Sequence, residues 1–157
     1  MDTIESKRIG NYLIEMFYDD CSSNDPREWD NLGTMVCFHN RYRLGDKQDR
    51  YKSGDYSNWG EMREDIIKRE KVHTILPIFM YDHSGITIST GPFSCTWDSG
   101  QIGFIFVSKK KVKEEKIDES KVEEYLKGEI ETYDKYLRGE VYRFVVSEIK
   151  TCDMGHE

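Results

Sequence analysis

The chain has 157 residues and a mass of 18.6 kDa, a length that fits one domain with its own core. Hydrophobic residues make up 37% and charged residues 34%, mean hydropathy is -0.75, and no apolar run is long enough to cross a bilayer, while 13% aromatics argue against disorder. Thirty acids and 23 bases give a net charge of -7 spread along the whole chain, so no basic stripe exists for duplex DNA and direct duplex binding is not expected.

The first residues, Met1-Asp2-Thr3-Ile4-Glu5, are acidic and lack an apolar segment. No secretory signal is expected, and the setting read from this is the cytoplasm with reduced thiols. Asn11 to Asp19 alternates Tyr12, Ile14, Met16 and Tyr18 against Leu13, Glu15 and Phe17, the pattern of a strand. Asp19 to Asn31 is polar and contains Pro26, a loop. Leu32 to His39 is a second strand around Met35, Val36, Cys37 and Phe38. Arg41 to Ser57 is charged, holds Gly45 and Gly54, and is the longest stretch without a periodic pattern.

Asn58 and Glu61 have capping-box spacing, and Met62, Ile66 and Ile67 recur at helical spacing, so a helix is predicted near 59–71. Val72 to Tyr81 is a strand in which Pro77 implies an edge or a bulge. Asp82-His83-Ser84-Gly85 is turn chemistry, and Ile86 to Ser89 completes a β-hairpin. Gly91 to Gly100 is a loop, and Gln101 to Ser108 is a strongly apolar strand. The basic run Lys109 to Lys116 is balanced by neighbouring acids and reads as a solvated helix or loop face.

A longer helix is predicted over 120–138. Ser120 and Glu123 form its capping box, Val122, Tyr125, Leu126, Ile130, Tyr133 and Leu137 form its apolar stripe, and Gly139 closes it. Val141 to Ile149 is the last strand. Hairpins outnumber crossovers, so the expectation is one α+β domain over 1–157. It has a mostly antiparallel sheet of about five to six strands with two helices packed on one face.

The stretch 81–107 concentrates reactive side chains. Cys95 as nucleophile, His83 as base and Asp98 as orienter would make a hydrolase-like triad, the only catalytic set the residues suggest. The loops holding them flank a strand of roughly six residues. At about 3.3 Å per residue they lie ~20 Å apart unless the 91–100 loop folds back. The plainer reading is turn chemistry, with Asp and Ser capping their own backbone and Phe93 and Trp97 pinning the loop. The Asp98-Ser99-Gly100 triplet alone does not make an aspartic-protease site, which needs two carboxylates sharing a proton.

The carboxylates at 19, 20, 25, 28 and 30 do not fit a calcium loop, because the sixth and twelfth positions counted from Asp19 are Asn24 and Asp30. The four cysteines form no CxxC pair. No phosphate-cradling loop, nucleophile elbow or H-E-x-x-H occurs, so no metal and no cofactor is expected. His39, Arg41 and Arg43 place cations on alternate positions, where they can hold an anion or an acidic partner, or simply guard an edge strand.

Two segments carry a resemblance. One is Asp25-Pro26-Arg27-Glu28-Trp29-Asp30-Asn31-Leu32-Gly33-Thr34-Met35-Val36-Cys37. The other runs from Tyr81-Asp82-His83-Ser84-Gly85 through Trp97-Asp98-Ser99-Gly100-Gln101-Ile102-Gly103-Phe104-Ile105. The pattern resembles a group of small, mostly uncharacterised bacteriophage and prophage proteins, and extends through Gly128–Asp134 and Gly139–Tyr142. The resemblance implies a phage accessory protein in the host cytoplasm, of the kind that inhibits host defence, as anti-CRISPR and antirestriction proteins do. It implies no catalytic residues.

Three functions are compatible with these residues. The first is a stoichiometric inhibitor that binds a host defence or nucleic-acid-handling protein. Its partner-binding candidates are Asp82, His83, Trp97, Asp98, Trp29, Asp30, Arg41 and Arg43, with tryptophans as anchors. The second is a hydrolase or nuclease-like enzyme using Cys95, His83 and Asp98, or a carboxylate metal site. The third is a sponge for a small signalling nucleotide, for which His39, Arg41 and Arg43 are the cationic cluster.

Overall fold

A computed structural model describes residues 2–19 and 24–151. Cys21, Cys152 and the carboxylate at Asp20 lie outside the described residues. The chain runs β1 (Glu5–Ile9), β2 (Tyr12–Tyr18), β3 (Thr34–Cys37), α1 (Trp59–Glu70), β4 (Val72–Asp82), β5 (Ile86–Ser89), β6 (Ser99–Ser108), α2 (Lys109–Glu114), α3 (Val122–Leu137) and β7 (Tyr142–Glu148). Short 3-10 turns occur at Pro26–Glu28, Ser53–Asp55 and Glu119–Lys121. The fold class is α+β, with antiparallel pairing between all neighbouring strands.

The chain forms two compact units, one made of residues 1–23 with 139–157 and the other of Asn24–Arg138. There are accordingly two sheets, of three and four strands, where the periodicity suggested one of five to six. The smaller unit is the sheet β1-β2-β7, with Ile9 opposite Tyr12 and Tyr18 opposite Tyr142. β1 escaped the sequence reading because it is exposed along its whole length and so carries no buried face to alternate. Its hairpin to β2 turns on Gly10, whose φ of +58° is a conformation that such tight turns require.

The larger unit is the sheet β3-β6-β4-β5 with helices on both faces. This corrects the expectation of both helices on one face, and the alternation of the strands is the reason. Met35, Ile78, Met80, Ile105 and Val107 point to the side covered by Leu126, Ile130 and Tyr133 of α3. Val36, Ile75, Phe104 and Phe106 point to the other side, where Met62 and Ile66 of α1 cover them. β6 is therefore apolar on both faces, which is why it reads as a continuous hydrophobic run.

Glycine at 103 is required by the closeness of β3. A Cβ there would lie 1.9 Å from the Val36 carbonyl oxygen. Pro77 sits where β4 has β6 on one side only, since β5 pairs with Phe79–Asp82, and a register shift follows between Ile78 and Phe79. The edge-and-bulge reading of that proline holds. α1 starts as expected, with the Asn58 side chain accepting from Glu61 N at 2.8 Å. The Ser120–Glu123 capping box is not formed, because Ser120 lies inside a 3-10 turn and donates to Asp118. Gly139 follows α3 at φ +77°, the left-handed closing residue its position predicts.

Candidate functional site

One end of the four-stranded sheet gathers most of the candidate residues. β6 runs antiparallel to β4 with Ser99 opposite Tyr81. The last residue of β4 thus meets the residue just before β6, and Asp82 N donates to the Asp98 carbonyl at 2.9 Å. The 91–100 loop folds back through this pairing, so the ~20 Å separation expected along β5 does not apply. β4 has β5 on one side and β6 on the other, and both of its neighbours deliver a loop to the same end.

His83 follows in the turn, with Ser84 at φ +58° and Gly85 at φ +142°, and its Nδ1 lies 3.4 Å from Asp98 Oδ2. That separation makes an ion pair when the imidazole is protonated. The loop after β3 closes the third side. Arg41 Nη1 lies 3.8 Å from Asp82 Oδ2, and the Tyr42 hydroxyl donates to the same oxygen at 3.5 Å. His39 Nδ1 accepts from the backbone of Arg41 and Tyr42 at 3.1 and 3.3 Å.

Between these loops lies a cleft of about 290 Å³ lined by His39, Arg41, Asp82, Trp97, Asp98 and Gln101 among others. Its charges are of both signs and lie in exposed or half-exposed groups. Individually such pairs are worth ~1 kcal/mol or less. Trp97 is 94% exposed, an indole held almost wholly in water at the cleft's rim. Behind it Tyr81 is wedged between Phe93 and His83, with ring centroids 5.7 and 5.9 Å away. Phe93 thus anchors the loop as expected, whereas Trp97 does not.

Cys95 enters this region through its backbone, where the Ser99 hydroxyl donates to its carbonyl. Among the described residues no hydrogen bond joins its thiol to His83. The structure thus brings His83 and Asp98 together and leaves Cys95 outside that pair. Arg43 is exposed on the loop beyond Tyr42 and does not line the cleft with Arg41.

Trp29 and Asp30 stand elsewhere in the same unit. Trp29 is half-exposed and, with Pro26, Asn31 and the Tyr125, Gly128 and Thr132 side of α3, borders a groove of about 740 Å³. Asn31 holds that turn by donating to the carbonyls of Pro26 and Trp29 at 2.9 and 3.0 Å. Among the described residues no group of three or more His, Cys, Asp or Glu side chains is arranged to hold a metal ion.

Sequence reading missed a buried charged side chain that joins three segments of the larger unit. Arg27 is buried, and its side chain retains only 3% of its exposure. Its Nε and Nη2 donate to the two oxygens of Asp46 at 2.8 and 3.0 Å, its Nη1 to Glu129 at 3.1 Å, and its Nη2 also to the Gly33 carbonyl at 2.8 Å. Asp46 accepts from Met35 N, and Glu129 from Leu32 N and Gly33 N. Burial works against the charge on Arg27, but its two carboxylate partners outweigh that and raise its pKa further. The network ties the turn before β3, the long loop after it and α3 into one body. It is scaffold chemistry, since each of the three guanidinium nitrogens donates to a partner inside the chain.

No protein-family model, curated protein or solved structure matches this chain. Among the described residues no helix is long and apolar enough to cross a membrane.

Proposed function

We propose that this chain is a binding protein that acts by occupying the surface of a partner protein, with the Trp97 end of the larger unit as its contact face. The observation that carries the reading is Trp97, 94% exposed beside a cleft whose charged groups are already paired with one another. Keeping an indole in water has no folding benefit, whereas a tryptophan that enters a partner's pocket is the commonest kind of interface anchor. Asp82, His83, Asp98 and Arg41 around it would form the polar rim that sets orientation and specificity. Trp29, bordering its separate groove, and Asp30 next to it in the chain would belong to a second contact.

The phage resemblance of the 25–37 and 81–105 segments supports a host defence or nucleic-acid-handling protein as the partner, met in the host cytoplasm. An inhibitor of that kind works at stoichiometric concentration and needs no nucleophile. An enzyme built on Cys95 would need that thiol activated by His83. The nucleotide-sponge reading loses support because Arg43 stands apart from Arg41 and His39.

The test is a tagged pull-down from bacterial lysate carrying CRISPR and restriction systems, followed by titration of the recovered partner. Inhibition should saturate near one chain per target. Trp97→Ala should weaken binding by ~2 kcal/mol or more, about thirtyfold, with no change in thermal unfolding. Inhibition at trace amounts, abolished by Cys95→Ala and untouched by Trp97→Ala, would replace the binder with an enzyme.

A further inference from the structure

The smaller unit carries an apolar face that the proposed contact at Trp97 does not use. Residues opposite one another in antiparallel strands share a face. The register therefore sets Ile9, Tyr12, Ile14, Met16, Tyr18, Tyr142, Phe144 and Val146 on one side of the β1-β2-β7 sheet. Six of these eight, all but Ile14 and Met16, are between 44% and 63% exposed. Tyr18 and Tyr142 lie against each other with ring centroids 5.4 Å apart, so the aromatic end of the face is already ordered. The opposite face is different in kind. There Leu13, Phe17 and Val145 are half-buried, and the Arg143 guanidinium lies 5.3 Å over the Phe17 ring.

At about 200 Å² for a large side chain, these exposures amount to roughly 600 Å² of apolar surface. That reaches the top of the ~300–600 Å² range for the largest patch on an ordinary monomer. A sheet with one apolar face buries it against another layer. A standard interface takes about 800 Å² per partner, and Ile14, Met16 and the charged margin supply the remainder.

We propose that this face is a self-association surface, on which the sheets of two copies of this chain pack face to face as a twofold dimer. The charges at its margin point to a second copy. Glu5 and Lys7 lie on the β1 margin of the face and Glu148 on the β7 margin. A twofold axis along β2 lays β1 of each copy over β7 of the other. Lys7 then falls one row from the second copy's Glu148, within reach of a lysine side chain, and the contact occurs twice. A twofold across the strands instead lays β1 over β1 and β7 over β7, so Lys7 no longer meets Glu148. Sheets packed this way stay aligned within about 30°, which keeps β2 over β2 and the tyrosine pairs at one end.

The experiment is sedimentation equilibrium of the full chain. At about 100 µM an interface with a Kd near ~1 µM is almost entirely dimeric, so the mass found should be twice 18.6 kDa. Phe144→Ser combined with Val146→Ser, both exposed positions, should give single chains with an unchanged circular dichroism spectrum. Lys7→Glu should weaken association about tenfold, and Lys7→Glu with Glu148→Lys should recover it, which a merely destabilised fold would not do. A single-chain mass for the unaltered protein would overturn the proposal, and an apolar dye bound to that monomer would assign the face to a different partner. Association undiminished by the Phe144 and Val146 changes would overturn it as well.

Discussion

Replacing Arg27 by methionine keeps the length of its stem and removes its charge and its donors. Asp46 and Glu129 would then be left as two carboxylates sharing one poorly hydrated site, with side-chain exposures of 25% and 16%. Breaking a buried pair by deleting one partner costs about 3–5 kcal/mol, because the remaining charge keeps its desolvation penalty. Both carboxylates retain backbone donors and some water, so the lower end applies, ~3 kcal/mol. For a chain of this size that is a drop in Tm of about 6–12 °C. All three tryptophans fall within Asn24–Arg138, so intrinsic fluorescence follows the unit that contains the network. Urea unfolding read by that signal should show the loss for Arg27→Met. Arg27→Lys should fall between, since an ammonium cannot make the bidentate contact to Asp46. Adding Glu129→Gln to Arg27→Met should return part of the loss by removing one unpaired charge, a coupling of about 1–3 kcal/mol. If Arg27→Met unfolds within ~0.5 kcal/mol of the unaltered chain, the network is ornamental and the reasoning fails.

Other outcomes follow from single positions. Gly103→Ala would drive a Cβ into the Val36 carbonyl of the neighbouring strand, so a loss of about 3 kcal/mol or more is expected by urea titration. Gly128→Ala, in the interior of α3 with open space around its Cα, should instead stabilise by ~0.5–1 kcal/mol. Burial pushes the Cys37 thiol from 9.0 up to about 12 and the Tyr133 hydroxyl from 10.0 up to about 12. Both groups are held neutral in the fold and ionise more readily once it opens. Their contribution is intact below pH 9 and is lost as pH rises towards 12, at up to ~1.4 kcal/mol per pH unit for each group. Urea midpoints measured between pH 8 and 11 should stay flat and then fall, and Cys37→Ala should remove the earliest part of the decline. Cys37 is half-buried, so a thiol reagent at pH 8 should modify it more slowly in the folded chain than in urea. Equal rates in the two states would contradict that protection.

Elements with a buried face were legible from the residues alone. α1, α3, β4 and β6 each repeat apolar side chains at their own period, and their placement follows. β1 was not legible, because a fully exposed edge strand of Glu-Ser-Lys-Arg-Ile has no side to hide. The assignment of helices to opposite faces was written in β6 itself. Phe104 and Phe106 alternate with Ile105 and Val107, all four buried, and only a strand covered on both sides needs that.

The candidate site divides along the same line between local and distant causes. Asp82, His83, Trp97 and Asp98 were legible as a polar, aromatic interruption between apolar strands, but their convergence was not. It depends on β6 returning beside β4 rather than beside β5, a choice of pairing that no local pattern states. Arg27 lies further still from sequence logic, because its partners are 19 and 102 residues away and none of the three side chains breaks a local rule. A buried arginine has to be satisfied wherever it sits, so its network is determined by the finished fold. An exposed tryptophan is determined by nothing in the fold, since Trp97 fills no cavity and supports no neighbour's packing at 94% exposure. That difference separates the two as targets. Changes at Arg27 should be read in stability, and changes at Trp97 in binding alone.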